Sequence, residues 1–426
     1  MKLSLCHVER SRDIWSRKGL VLQSQPDSST QPALSEAEGV GMTDKQKGRC
    51  KMERLNGNRM RLVVVGIVTA IVLGGGSAKA DFTFGEPTNL GPTVNSSGTD
   101  YAPRISADGL ELYFQSLDRP GGYGNCDLYV TTRGTINDPW GEPVNLGSNF
   151  NTSGFEGSPS LSAHSLELYF SSDGLPGGSG NCDLWRSTRA TKSAPWGPPV
   201  NLGPSVNTTA SEAHPCISAD GLSLYFNDTI WVGDVANACP GGYGGADLWV
   251  TTRPTKDGPW SPPQNLGTTI NSSGFDMTPY ISADGLMLFF SSDWDVGYPH
   301  DDIWVARRKT QNDPWQEPVK LGPSINTPHM ESSPALSWDC KTLYFLSSRA
   351  GGSGNWDLWQ APIIPLVDLN TDGIVDSADM CIMVDHWGTD EPLCDIGPMP
   401  WGDGIVDVQD LIVLAEHLFE EIPPAE

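Results

Sequence analysis

WGEPVNLG, from Trp140 to Gly147, recurs four more times along the chain: FGEPTNLG from Phe84, WGPPVNLG from Trp196, WSPPQNLG from Trp260 and WQEPVKLG from Trp315. The spacings are 56, 56, 64 and 55 residues. Each copy is followed by an Asn, an acidic residue five positions on, a Pro, ISADG or a variant of it, an LYF-like triplet, a Gly-rich stretch and a DLW-like triplet. A repeat of this length, with β-branched and aromatic runs bounded by Gly, Pro, Asn and Asp, reads as four short strands, and no long helical periodicity interrupts it. In the first repeat the pattern predicts strand A over Ala102–Ser106, a turn at Ala107-Asp108-Gly109, strand B over Leu110–Ser116, strand C over Asp127–Arg133 and strand D from Trp140. Four-stranded units repeated radially make a β-propeller, so the fold class is all-β with five blades.

The count at the two ends supports ring closure. There are five A-B-C groups, but the last, ending at Trp359, has no phrase after it, and the first phrase, at Phe84, has no blade before it. The segment Phe84–Gly91 is therefore expected to supply strand D of the fifth blade.

Charge and leader residues place the chain. Residues 1–80 carry 13 Lys/Arg and 7 Asp/Glu, so the remainder holds 14 and 45, a formal charge of −31. A surface this acidic repels phosphate backbones, which excludes nucleic acid as a partner. Arg61, the apolar run Leu62 to Leu73 and Ala78-Lys79-Ala80 have the layout of a secretory signal peptide, too short to span a bilayer. The expected organisation is a mis-assigned or disordered leader over 1–51, a signal peptide over 52–80, the propeller over 81–364, a small module over 365–420 and a tail over 421–426. The mature chain would be secreted or lodged in the cell envelope, the periplasm included, with no transmembrane anchor.

The repeats, for example SADGLELYF with GGYGNCDLYVTTR and WGEPVNLG, resemble the WD-repeat-like propellers of the TolB type. The resemblance runs from Phe84 to about Ile364. It implies an extracytoplasmic interaction platform and no particular activity.

If strands A and C run one way and B and D the other, the B–C and D–A loops share one face of the ring. That face would carry Tyr123, Trp231, Tyr243, Trp294, Tyr298 and His300, aromatic and polar groups suited to stacking on sugar rings or anchoring a protein. The same face holds one acid per repeat, Asp100, Glu156, Glu212, Asp276 and Glu331. A carboxylate ring around a channel would suit a cation. The structural alternative, which repeat equivalence favours, has each acid accept hydrogen bonds from loop backbone or from the Arg ending strand C, such as Arg133, Arg189 or Arg253. A glycosidase needs two carboxylates in different protonation states. Equivalent acids do not show that division of labour, which leaves blade-specific His164, His214, Asp293, Asp295, His300 and Asp301 as candidates.

After the propeller, Asp368-Leu-Asn370-Thr-Asp372-Gly373-Ile374-Val-Asp376-Ser-Ala-Asp379 places side-chain oxygens at positions 1, 3, 5, 9 and 12 of a calcium loop, Gly at 6 and the Ile374 carbonyl at 7. A second copy keeps Asp403, Ile405, Asp407 and Asp410. Its positions 1 and 3 fall on Met399 and Trp401 unless Asp395 serves as position 1 through an insertion. Paired loops with single exiting helices resemble type I dockerins. That resemblance implies calcium as cofactor, a cohesin-type partner and polysaccharide breakdown as context. The sequence thus reads as a secreted binding or scaffold protein whose propeller meets carbohydrate or an extracellular protein, the alternative being a propeller glycoside hydrolase carried by the same tail.

Overall fold

The computed structural model describes residues 82–228, 239–295, 300–365, 367–370, 374–389, 394–397 and 405–419. The predicted leader and signal peptide lie outside the described residues, as do Trp231, Tyr298, Asp372 and Asp403.

Five antiparallel sheets follow one another along the chain. Blade 1 is built from β3 (Thr99–Ile105), β4 (Glu111–Leu117), β5 (Cys126–Thr132) and β6 (Val144–Asn145), in that spatial order. Blades 2, 3 and 4 repeat the meander from β7 (Glu156–Leu161), β11 (Glu212–Ile217) and β15 (Asp276–Ile281). Blade 5 takes β19 (Glu331–Leu336), β20 (Thr342–Ser347) and β21 (Asp357–Pro365) from the end of the propeller. Its fourth strand comes from the start of the chain: β2 (Thr88–Asn89) pairs with Gln360 and Trp359, as the phrase count predicts. A further strand that the repeat does not announce, β1 (Phe82–Phe84), pairs with Ile363–Pro365 and lengthens the closure.

The second strand explains the apolar triplet. Leu112, Tyr113 and Phe114 are all buried, and so are Leu168, Tyr169 and Phe170. A strand covered by a neighbouring blade on each side loses the usual alternation and reads as a continuous apolar run. Strand D is shorter than predicted, only two residues in each blade. Pro143 has no N–H to give the ladder, and Trp140 leaves the strand to stack under Arg133, whose guanidinium carbon lies 4.2 Å from the ring centroid.

Two recurring polar devices weld the blades. The Asn four residues after the phrase's final Gly reaches strand C of the preceding blade: Asn151 Oδ1 accepts from Leu128 N at 2.9 Å while its Nδ2 donates to Leu128 O at 3.0 Å. Asn95, Asn207, Asn271 and Asn326 make the same pair of bonds to Leu358, Leu184, Leu248 and Ile303. The second device is a bulge in every innermost strand, where Ala102, Ser158, His214, Thr278 and Ser333 sit at φ between 50° and 55°, each just before a proline. This left-handed conformation is costly for a side chain with a Cβ. It turns the N–H of four of these residues onto strand B of the preceding blade: Ser158 to Gln115 Oε1, His214 to Ser171 Oγ, Thr278 to Asn227 Oδ1 and Ser333 to Ser291 Oγ.

Beyond the propeller lie two short helices, α1 (Ser377–Asp385) and α2 (Val408–Glu416). Val367, Leu369, Val375, Met383, Cys394, Ile396, Val406, Val413 and Leu414 form a separate apolar cluster between them. Among the described residues no helix is long and apolar enough to cross a membrane.

Candidate functional site

The five repeat acids do not line an open channel. All five are fully buried, and each is turned into its own D–A loop. Glu156 accepts from Thr152 N at 2.6 Å, Thr152 Oγ1 at 2.7 Å and Ser172 Oγ at 2.9 Å. Glu212 accepts from Thr208 N at 3.0 Å, and Glu331 from Thr327 N at 2.8 Å and Ser347 Oγ at 2.6 Å. Asp276 accepts from Ser272 N at 2.6 Å, and its Oδ1 has no hydrogen-bond partner. Burial pushes the Asp276 carboxyl up to about 6. Asp100 accepts from Ser96 N and pairs with Arg119 at 2.8 Å.

The arginines expected to meet these acids lie at the other end of the blades. Arg133, Arg189 and Arg253 end strand C beside the A–B turns and donate Nε–H to turn carbonyls at 2.7 Å. Arg119 and Arg349, from the B–C loops, are the cations that reach Asp100 and Glu331. The axis of the ring is closed near its A–B-turn end by Arg104, which donates to the carbonyls of Pro103, Pro334 and Pro279 at 2.9 to 3.1 Å and so bridges blades 1, 5 and 4. Nothing in a single repeat signals that plug, because the other repeats carry Ser160, Cys216, Tyr280 and Ala335 at its position.

On the face formed by the B–C and D–A loops, Tyr123 is 54% and Tyr243 55% exposed. Both ride on loops pinned from beneath. Asp127 accepts from Tyr123 N at 2.5 Å and Gly124 N at 3.2 Å, while Asp247 accepts from Tyr243 N and from Gly244 N at 3.1 Å. The glycines here are needed for space: a Cβ on Gly122 would meet Asp127 Oδ2 at 2.5 Å, and one on Gly124 would meet Thr152 O of the next blade at 2.4 Å. Trp294 is exposed and lies 5.3 Å from the Trp304 ring. His300 is exposed too. Trp356, just before the strand C triplet of the fifth blade, is a further exposed aromatic, in edge contact with Tyr101.

The blade-specific polar groups are dispersed. His164 is exposed in an A–B turn, on the opposite face. His214 lies at the bulge of β11 with Nδ1 unpartnered, and burial together with the Arg104 charge lowers its pKa to about 4. Asp293 accepts from Phe275 N at 2.7 Å, and Asp295 is held by Lys320 at 2.9 Å. Asp301, where other repeats have Cys, Ala or Trp, is buried with Oδ1 unpartnered, and burial with the charges of Asp293, Asp302 and Asp276 raises it to about 7.

In the C-terminal module the two candidate metal loops share one local design. Asp379 Oδ1 accepts from Asn370 N at 3.1 Å, its Oδ2 accepts from Asp376 N at 2.8 Å, and Asp376 caps α1. Asp410 Oδ1 accepts from Ile396 N at 2.6 Å and Gly397 N at 2.7 Å, its Oδ2 accepts from Asp407 N at 2.6 Å, and Asp407 caps α2. The shared bonds superimpose Asn370 on Gly397 and therefore Asp368 on Asp395. By these bonds Asp395 corresponds to Asp368, while Met399 lies outside the described residues. The donor set Asp368, Asn370, Ile374, Asp376 and Asp379 is chemically a hard-oxygen set. Among the described residues, which omit Asp372 and Asp403, no three His, Cys, Asp or Glu groups already converge on one point.

No described protein family and no curated protein matches the sequence. Among solved structures, the putative TolB from Agrobacterium tumefaciens is similar over 67% of this chain and 99% of its own, at 14% identity and a TM-score of 0.39. The catalytic domain of a Coprinopsis cinerea family 62 α-L-arabinofuranosidase is similar over 66% of this chain and 97% of its own, at 13% identity and a TM-score of 0.45. A Bacillus subtilis arabinanase gives 64% and 96%, at 14% identity and a TM-score of 0.43.

Proposed function

We propose that the protein is a secreted binding protein whose propeller presents the B–C loop face to carbohydrate or to an extracellular protein, and whose C-terminal module binds calcium and docks onto a cohesin-type or envelope partner. The observation that carries the first half is the pair Tyr123 and Tyr243, large aromatic side chains held out to solvent on loops whose backbone is fixed by buried aspartates. Rigid, exposed aromatics lose little entropy on stacking against a sugar or a partner. For the second half, the two equivalent capping boxes and the position of Asp395 support a paired loop module, and calcium there would neutralise the crowded carboxylates. A glycan array on the full chain, run with and without Tyr123→Ala and Tyr243→Ala, tests the face. No glycan or protein ligand lost in these variants would refute it.

One observation favours the glycoside hydrolase reading enough to test it alongside. Burial and the neighbouring aspartates raise the Asp301 carboxyl to about 7, in the range where a general acid works. A reducing-sugar assay that shows turnover in the full chain and none in Asp301→Asn would establish it.

A further inference from the structure

The other face of the ring, made by A–B turns and C–D loops, contains a feature that the repeat makes legible by its failure. Arg133, Arg189, Arg253 and Arg308 end strand C of blades 1 to 4, and all four guanidinium groups are aimed alike. Each Nε donates to an A–B turn carbonyl at 2.7 or 2.8 Å, and each lies over a tryptophan ring at 4.2 to 4.5 Å. So held, the arginine reaches the first residue of strand B in the preceding blade. At two seams that residue is a glutamate. Arg189 pairs with Glu111 at 2.8 Å and Arg253 with Glu167 at 3.4 Å. Lys192 additionally meets Asp108 across the first of these seams.

The seam where the ring closes, between blade 5 and blade 1, lacks both partners. Thr342 stands where Glu111 and Glu167 stand, and Ile136 stands where Lys192 does. No carboxylate pairs with the Arg133 guanidinium among the described residues; its side-chain neighbour is the Tyr344 hydroxyl, and the carboxylates of Asp108 and Asp339 border the cleft without pairing with it. In place of the ion pairs there is a cleft of about 500 Å³, bordered by Arg133 and Thr342 and by Ile136, Trp338, Gln360 and Asp108. That volume is in the range of small-ligand sites. Trp338 is 43% and Ile136 61% exposed, an apolar platform beside polar groups.

We infer that this closure seam is a binding site for a carboxylate-bearing sugar, a hexuronate residue. The ligand carboxylate takes the place on Arg133 that a glutamate holds on Arg189 and Arg253. The sugar ring lies against Trp338 and Ile136, and its hydroxyls bond to Gln360, Thr342 and Asp108. Arginine suits this role because its planar fork matches a carboxylate and its charge is permanent. The site is separate from the B–C loop face and stands or falls independently of it.

The test is calorimetric titration of the full chain with galacturonate and glucuronate disaccharides and with their neutral galactose and glucose counterparts. Binding of a uronate at least tenfold tighter than its neutral counterpart is expected. Arg133→Gln should erase that preference. Thr342→Glu rebuilds in the cleft the pair already present at two other seams, so it should keep the melting temperature and lose uronate binding at least tenfold, whereas Thr342→Val should retain it. Should Arg133→Gln fail to fold, the two Thr342 variants decide. Absence of uronate binding, equal affinity for neutral sugars, or uronate binding untouched by Thr342→Glu would each overturn the inference, as would binding of free peptide carboxylates in place of uronates.

Discussion

Phe82→Ala and Phe84→Ala probe the closure of the ring where it is most exposed to error. Both side chains come from the first described residues, and a mere N-terminal tail would tolerate their loss within about 0.5 kcal/mol. In the structure Phe82 is 3% and Phe84 8% exposed. Their rings meet edge-on at 5.3 Å, and Phe82 lies 6.5 Å from Phe289 and under Arg307, so the segment reaches blade 4 as well as blade 5. The backbone is held by the β1 ladder, by Gly85 N to Pro362 O at 2.9 Å and by Leu90 N to Leu358 O at 3.0 Å, bonds that keep the segment in place when one ring is trimmed. Truncating a buried phenylalanine costs about 3–5 kcal/mol, and the double variant should fall short of additivity because the two rings touch. The measurement is urea unfolding followed by tryptophan fluorescence, with an unchanged slope and a lowered midpoint expected for each variant. A chain beginning at Pro92 should lose cooperative unfolding altogether. Midpoints equal to wild type for both single variants, or an intact transition in the truncated chain, would refute the closure argument.

Asn207→Ala removes the side chain that both donates to and accepts from Leu184 across a seam; a loss of about 1–3 kcal/mol in chemical denaturation is expected. Glu212→Gln should lower the melting temperature without changing ligand binding, and a variant of wild-type stability that has lost binding would move Glu212 from scaffold to site. For Asp301 the folded carboxyl titrates at about 7, raised by burial first and by neighbouring aspartates second, against about 4 in an unfolded chain. The folded state therefore holds more protons between those values, and stability falls as pH rises from about 4 to about 7, by something on the order of 4 kcal/mol. Asp301→Asn should flatten that slope in urea midpoints taken at pH 5 and pH 8. Calcium should raise the helical circular dichroism of the full chain, with Asp395→Ala weakening the response and Met399→Ala leaving it intact; the reverse ranking would restore the uncorrected register of the second loop.

Local chemistry repeated five times made the blades legible. WGEPVNLG, SADG and the LYF triplet each satisfy a short-range demand of turn or strand, and their recurrence sets blade number and the origin of the last strand. The paired loop motifs likewise announced two exiting helices, and the structure starts each of them at a capping box, Asp376 with Asp379 and Asp407 with Asp410. Contacts between blades were not legible, since they pair residues from 23 to 263 positions apart that a repeat presents as equivalent. Arg104 spans three blades from a position where its counterparts are Ser, Cys, Tyr and Ala. The bulged residues bond to strand B of the neighbouring blade. Arg189 and Arg253 turn away from the acids that lie nearest in the pattern and meet Glu111 and Glu167. For the second loop, counting left Met399 and Asp395 as alternatives, and it is the hydrogen bonds from Ile396 and Gly397 to Asp410 that match Asp395 with Asp368. Which partner each charged side chain meets was decided by packing, through the few ångströms separating a hydrogen bond from open solvent.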